Sequence, residues 1–303
     1  MSKQVNFSKS LKPNFSGHET FPLRYGWLEK SFYAVENNNL NPFTQLDAIA
    51  TFGVGKNMVN AIKHWALATG FLEIIEDSYI PSTYAKKIMS SNFDPFLESS
   101  DSMWKIHYEL AKNPRNTTIH FIFNYLNESN FDKSTISLRV LDFLQTHELK
   151  IPASKTLSSD ISVAISNYAN KQKKTSREDD ITSPLTELHL IKTLDDGRYS
   201  FNFGTKISLS KELFVSCLLD YWENHTDTEQ TSARTLNFEQ ILHSPGSPGR
   251  IFLLSEKELI TRLENIETAS DGHLMWSETA GIQQLVKSAK YDRSALSNIW
   301  MNV

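Results

Sequence analysis

The stretch GVGKNMVNAIKHWALATGFLEIIEDSYIP, Gly53 to Pro81, carries the reading of the fold. Gly53-Val54-Gly55 forms a tight turn. The segment from Lys56 to Thr69 then sets Met58, Val59, Ile62, Trp65 and Ala66 on one face at helical spacing, and Gly70 stops it. Phe71 to Ile75, the turn residues Glu76-Asp77-Ser78 and Tyr79-Ile80-Pro81 read as a short β-hairpin. Upstream, Thr20 caps a first helix with Pro22 in its first turn, and Leu23, Trp27, Leu28, Phe32 and Val35 make its apolar stripe. A second short helix, Pro42 to Phe52, carries Phe43, Leu46, Ile49 and Ala50 on one face, and Ser82 to Met89 closes the unit as one more helix. Three helices with a tight turn before the third, then a hairpin, follow the order of a winged helix-turn-helix. A small helical domain with a hairpin and no nucleic-acid role fits the same pattern. In both cases Trp27, Trp65 and Phe71 belong in the core.

Beyond this unit the pattern from Asp94 to Asn170 is helical. Asp101 or Ser102 caps a helix through Ala111, and Thr117 or Thr118 one through Leu126; Lys133 to Thr146 and Lys155 to Tyr168 are two more. Lys171 to Asp180 is charged, lacks apolar residues and reads as an exposed linker. After it come a short helix at Leu185–Leu190, a hairpin around Asp195-Asp196-Gly197 and a buried helix from Ser210 to Trp222. The last segment repeats the order of the first. It has a helix at Phe238–Leu242, a rigid turn at Ser244–Gly249, a short helix at Ile251–Leu254 and a helix to Glu267 opened by a Ser255/Glu258 capping box. The segments Asp271–Trp276 and Gly281–Val286 pair as its wing. The expected class is therefore mostly α with small β-hairpins (α+β), with winged helix-turn-helix-like units at both ends of a helical middle. The expected divisions are residues 1–91, 92–172, 173–233 and 234–303.

Composition bounds the function. The 303 residues are 40% hydrophobic and 11% aromatic, so each division can bury a core. A net charge of −4 excludes a wholly basic nucleic-acid coat but leaves room for a local basic face. The single cysteine, Cys217, excludes an internal disulfide framework and lies in an apolar run, where it reads as a small buried hydrophobe. No run of eighteen apolar residues exists, and Met1 to Phe15 lacks a signal-peptide core, so the expected location is the cytoplasm.

Gly53-Val54-Gly55-Lys56-Asn57 invites a phosphate-loop reading and fails it. Ala50 stands at the first required glycine, Asn57 replaces the magnesium-binding hydroxyl, and a helix precedes the turn in place of a strand. A helix-turn-helix turn fits better. Lys56, Asn57, Asn60, Lys63 and His64 then project from the side opposite Val59, Ile62 and Ala66 to meet DNA, with Lys86 and Lys87 near its backbone. The plain alternative is a solvated helix face. The nine histidines show no H-x-x-x-H or H-E-x-x-H spacing, so no metal site and no cofactor are expected. His18, with Glu19 and Arg24, is the cluster to watch, and a structural hydrogen bond is the favoured role for His18. No catalytic constellation stands out, which makes an enzyme the least supported reading; a hydrolase centred on His18 and Glu19 is its only form. The last unit's helix from Ser255 carries Glu256, Glu258, Glu264 and Glu267 against Lys257 and Arg262, which suits a protein partner better than phosphates.

The run Phe15-Ser16-Gly17-His18-Glu19-Thr20-Phe21-Pro22-Leu23-Arg24-Tyr25-Gly26-Trp27-Leu28 resembles the opening signature of the bacterial domain-of-unknown-function family DUF4007. Gly53 to Val59, Trp65 to Gly70, Ser247-Pro248-Gly249 and Thr279-Ala280-Gly281 resemble it as well, so the likeness spans most of the chain. The resemblance implies a setting in DNA-phosphorothioation or related anti-phage islands, beside a phosphoadenosine-phosphosulfate-reductase-like enzyme and ATPases. It implies an accessory or DNA-contacting subunit of such a system; the second hypothesis is a protein-interaction scaffold that docks a sulfurtransferase-type or reductase-like enzyme without touching DNA. It assigns no catalytic residue.

Overall fold

The computed structural model describes residues 13–37, 41–44, 48–90, 92–169, 182–226, 234–279, 281–296 and 299–301. The chain divides into two compact units, residues 1–202 and 203–303. The expected linker at Lys171–Asp180 and Leu46 of the second helix lie outside the described residues.

The first unit opens with α1 (Trp27–Glu36), α2 (Ala48–Phe52), α3 (Lys56–Ala68), the antiparallel hairpin β1 (Leu72–Ile75) and β2 (Ser78–Pro81), and α4 (Thr83–Ile88). Trp27, Trp65 and Phe71 are buried, as their stripes require. The start of α1 differs from the capping expectation. Glu19 and Thr20 both have left-handed backbone, Phe21 N–H closes a turn on the His18 carbonyl at 2.8 Å, and the helix begins only after Gly26. A side chain engaged by the tertiary fold here overrides the local capping preference of Thr20. The phase of α2 also differs. Ala48 and Phe52 point inward and Phe43 stacks on Phe52 at 5.1 Å, while Ile49 is 53% exposed and Ala50 is exposed. Five residues make little more than one turn, so ring stacking rather than periodicity sets the face.

The helices that follow are α5 (Ser100–Lys112), α6 (Thr117–Asn124), α7 (Lys133–Thr146) and α8 (Ser154–Tyr168). Their caps are Ser99, Asn116, Asp132 and Ala153, so α5 and α6 each start earlier than the sequence suggested. Asp132 holds α7 firmly, its carboxylate accepting from the Thr135 N–H at 2.7 Å. A 3₁₀ turn at Pro184–Leu188 precedes β4 (Ile191–Thr193) and β5 (Tyr199–Phe201), and the two-residue β3 (Asn130–Phe131) joins them in the order β3-β5-β4. The core of this part is aromatic: Trp104, Tyr108, Phe123, Phe131 and Tyr168 are all buried.

The second unit contains α9 (Lys211–Thr226), β6 (Thr235–Asn237), α10 (Phe238–His243), α11 (Pro248–Ile251), α12 (Glu256–Glu264), α13 (Ile266–Ala269), β7 (Leu274–Thr279), β8 (Ile282–Lys287) and α14 (Arg293–Leu296). Its sheet runs β6-β8-β7, all antiparallel. Cys217 is fully buried on α9. The capping box sits at Asn237/Gln240. Ser255 does cap α12, but the Glu258 carboxylate accepts from Arg262 Nε at 2.8 Å instead of closing the box. Gly249 is where α10 and α11 touch backbone to backbone: a Cβ there would press on the Ile241 carbonyl oxygen and lie 2.7 Å from Leu242 Cα. Among the described residues no helix is long and apolar enough to cross a membrane.

Candidate functional site

The signature segment from Phe15 to Leu23 lies across α3, α6 and α8 of the first unit. Phe15, His18 and Leu23 are buried. The Trp65 indole N–H donates to the Phe21 carbonyl at 3.0 Å, and the Leu23 N–H donates to Asn167 Oδ1 at 3.0 Å. Just upstream, the Asn14 N–H donates to Thr117 Oγ1 at 2.9 Å. His18 is the centre of this seam. Its Nδ1 accepts the Thr20 N–H at 3.1 Å, which leaves the proton on Nε2 to be donated to Asp160 Oδ1 at 2.7 Å. The ring also stacks near Trp65, centroids 6.2 Å apart. Both nitrogens are thus committed. The hydrogen bond expected of His18 is present, and Asp160 is a partner that the sequence did not point to, 142 residues away.

The other singled-out residues separate into two groups. Lys56 and Asn57 are exposed on the first turn of α3. Lys86 and Lys87 lie in the last turn of α4, Lys86 exposed and Lys87 half-buried. Asn60 and Lys63 are half-buried, and the Asn60 amide donates to Glu19 Oε1 at 3.2 Å. His64 is half-buried too, but its ring turns inward. Its ring packs on His18 and Trp65, with centroids at 5.6 and 5.0 Å, and the left-handed Gly17 leaves room for it: a Cβ at position 17 would sit 2.7 Å from His64 Nδ1. Burial, with His18 beside it, pushes the His64 imidazole down to about 3, so it is neutral at physiological pH. Arg24 lays its guanidinium over Phe21 and Trp27, at 5.4 and 5.5 Å, as a cation–π clamp on the signature. Its Nε is buried without a hydrogen-bond partner among the described residues.

A small cavity of about 20 Å³ lies under the seam, lined by His18, His64, Trp65, Asn116, Thr118 and Asp160 among others. A wider groove of about 420 Å³ runs beside β1, with Leu67, Ala68, Leu72 and Ile74 as its apolar lining and Glu73 and Arg115 as its charges. Among the described residues no three His, Cys, Asp or Glu side chains gather as a metal site. The hairpin carries Glu73, Glu76 and Asp77 and no lysine or arginine, and it exposes Ile74 and Ile75.

The family model described as a protein of unknown function (DUF4007) matches residues 15–300. The chain belongs to the DUF4007 family. Among solved structures, this DUF4007 chain is similar to a magnesium ion-bound SspB crystal structure, with 25% identity and a TM-score of 0.81 over 91% of this chain and 83% of that one. A second SspB crystal structure is similar in fold, with 24% identity and a TM-score of 0.83 over 95% of this chain and 86% of that one. No curated protein matches the DUF4007 chain. The magnesium belongs to the SspB structure.

Proposed function

We propose that this chain is a non-enzymatic accessory subunit of a bacterial DNA-modification or anti-phage defence system of the phosphorothioation type. In this reading the first unit acts as a winged helix-turn-helix and meets DNA through α3. The observation that carries it is the exposed first turn of α3, where Lys56 and Asn57 stand beside backbone N–H groups that no helical carbonyl satisfies. Lys63, Lys86 and Lys87 would add backbone charge. Asn60 is partly engaged by Glu19, and the neutral, inward-turned His64 serves the seam, so the contact is narrower than the sequence alone suggested. The double commitment of His18 supports a binding role rather than a hydrolytic one.

The charge of the hairpin favours a second reading, a scaffold that docks a sulfurtransferase-type or reductase-like enzyme without touching DNA. A wing bearing Glu73, Glu76 and Asp77 repels phosphates, while its exposed isoleucines suit a protein. Fluorescence anisotropy on modified and unmodified duplexes, from low to physiological salt, separates the two. Under the first reading log K falls with log salt by about 0.9 per phosphate neutralised, and Lys56→Ala weakens all sequences alike and flattens that slope by about one unit. Absence of binding at low salt would leave only the scaffold.

A further inference from the structure

We infer that one ordered water molecule is a fixed component of the first unit, held by Thr118, His64 and Asp160 beneath the signature segment. This stands apart from the DNA reading and holds whichever partner the chain meets. Thr118 is 1% exposed, and its hydroxyl has no hydrogen-bond partner among the described residues. Folded proteins rarely leave such a group unsatisfied; where no protein atom serves, an ordered water does.

The cavity that Thr118 lines has the size and polarity for this. Its volume of about 20 Å³ exceeds the roughly 10–15 Å³ that a single water requires on that measure. Each wall offers a complementary group. The Thr118 hydroxyl both donates and accepts. The His64 ring, neutral because burial pushes it down to about 3, has one N–H and one lone pair, and no hydrogen bond joins it to a described residue. Asp160 gives Oδ1 to His18 and has Oδ2 as a further acceptor. A molecule held by such a set must donate and accept from one heavy atom. Water does both. The site also gives a second reason for glycine at position 17, since a Cβ 2.7 Å from His64 Nδ1 would displace one wall of the cavity.

The sign of one substitution tests the inference. Thr118→Val keeps the shape and removes the hydroxyl. If the hydroxyl has no partner, its removal relieves a buried unsatisfied group and raises the unfolding midpoint; if it holds a water, removal strips that water of a partner and lowers it. We expect a fall of about 2–4 °C, with Thr118→Ser staying near the parent. A crystal structure of the full chain at atomic resolution, grown in rubidium chloride, is the direct check. A single peak without anomalous signal, within hydrogen-bond distance of Thr118 and His64 or Asp160, is the expected result. An empty cavity, a rubidium peak in it, or a Val variant that melts higher than the parent would each overturn the inference.

Discussion

Gly249→Ala tests the packing of the second unit most sharply. A methyl group at this position would lie 2.7 Å from Leu242 Cα and 3.0 Å from the Leu242 carbonyl oxygen, and closer still to the Ile241 carbonyl oxygen. The shortfall to the 3.4 Å at which ordinary contact begins is about 0.7 Å at Leu242 Cα. All three atoms are backbone, so no side-chain rotation relieves the clash, and α11 must move away from α10. Overpacking of this kind costs ~1–3 kcal/mol, and rigid neighbours put it at the upper end. Alanine's better helix preference returns ~0.5–1 kcal/mol, leaving a net loss of about 2 kcal/mol. For a unit the size of residues 203–303 that corresponds to a fall of roughly 8–16 °C in its unfolding midpoint. Differential scanning calorimetry on the full chain reads this shift. Gly281→Ala is the control: nothing lies within 4 Å of its Cβ, and only its left-handed backbone is strained, at ~1 kcal/mol. A Gly249→Ala protein within ~0.5 kcal/mol of the parent, or one less damaged than Gly281→Ala, would refute the close-approach argument.

Trp65→Ala removes a buried ring and the donor to the Phe21 carbonyl, and should cost ~3–5 kcal/mol in urea unfolding; a loss under ~1 kcal/mol would mean that α3 is not anchored there. A double-mutant cycle with His18→Ala and Asp160→Ala should return a coupling of ~1.5–3 kcal/mol, while additive effects would deny the buried bond. Burial holds His64 at about 3 and His120 at about 4, both below the unfolded value of 6.5, so between these limits the unfolded chain binds more protons. Their contribution to stability is therefore complete above pH 6.5 and declines as pH falls toward 4, each adding a slope of up to ~1.4 kcal/mol per pH unit. His64→Gln should flatten the profile across that range, and an unchanged profile would count against the neutral ring packed on His18 and Trp65.

Local pattern alone determined several of the regular elements of this protein. The 3.6-residue repeat of Val59, Ile62, Trp65 and Ala66 between two glycines defines α3, and the apolar run broken by Glu76-Asp77 defines the β1–β2 hairpin, because in both cases the ordering contacts lie within a few residues. The span of α7 follows for the same reason, from Lys133 to Thr146. Only the tertiary structure decided where α1 begins, since Thr20 is drawn to His18 and His18 to Asp160. It also decided that His64 turns inward onto His18 and Trp65, although its helical position had placed it on the exposed side with Asn57, Asn60 and Lys63. The strands β3 and β6 are too short to carry an alternation and exist through pairing with β5 and β8. Helix periodicity assigns a side chain to a face, but its partner comes from a chain segment up to 142 residues away. The signature segment was therefore legible as a motif, while its role as a seam across α3, α6 and α8 required the packing that brings those helices together.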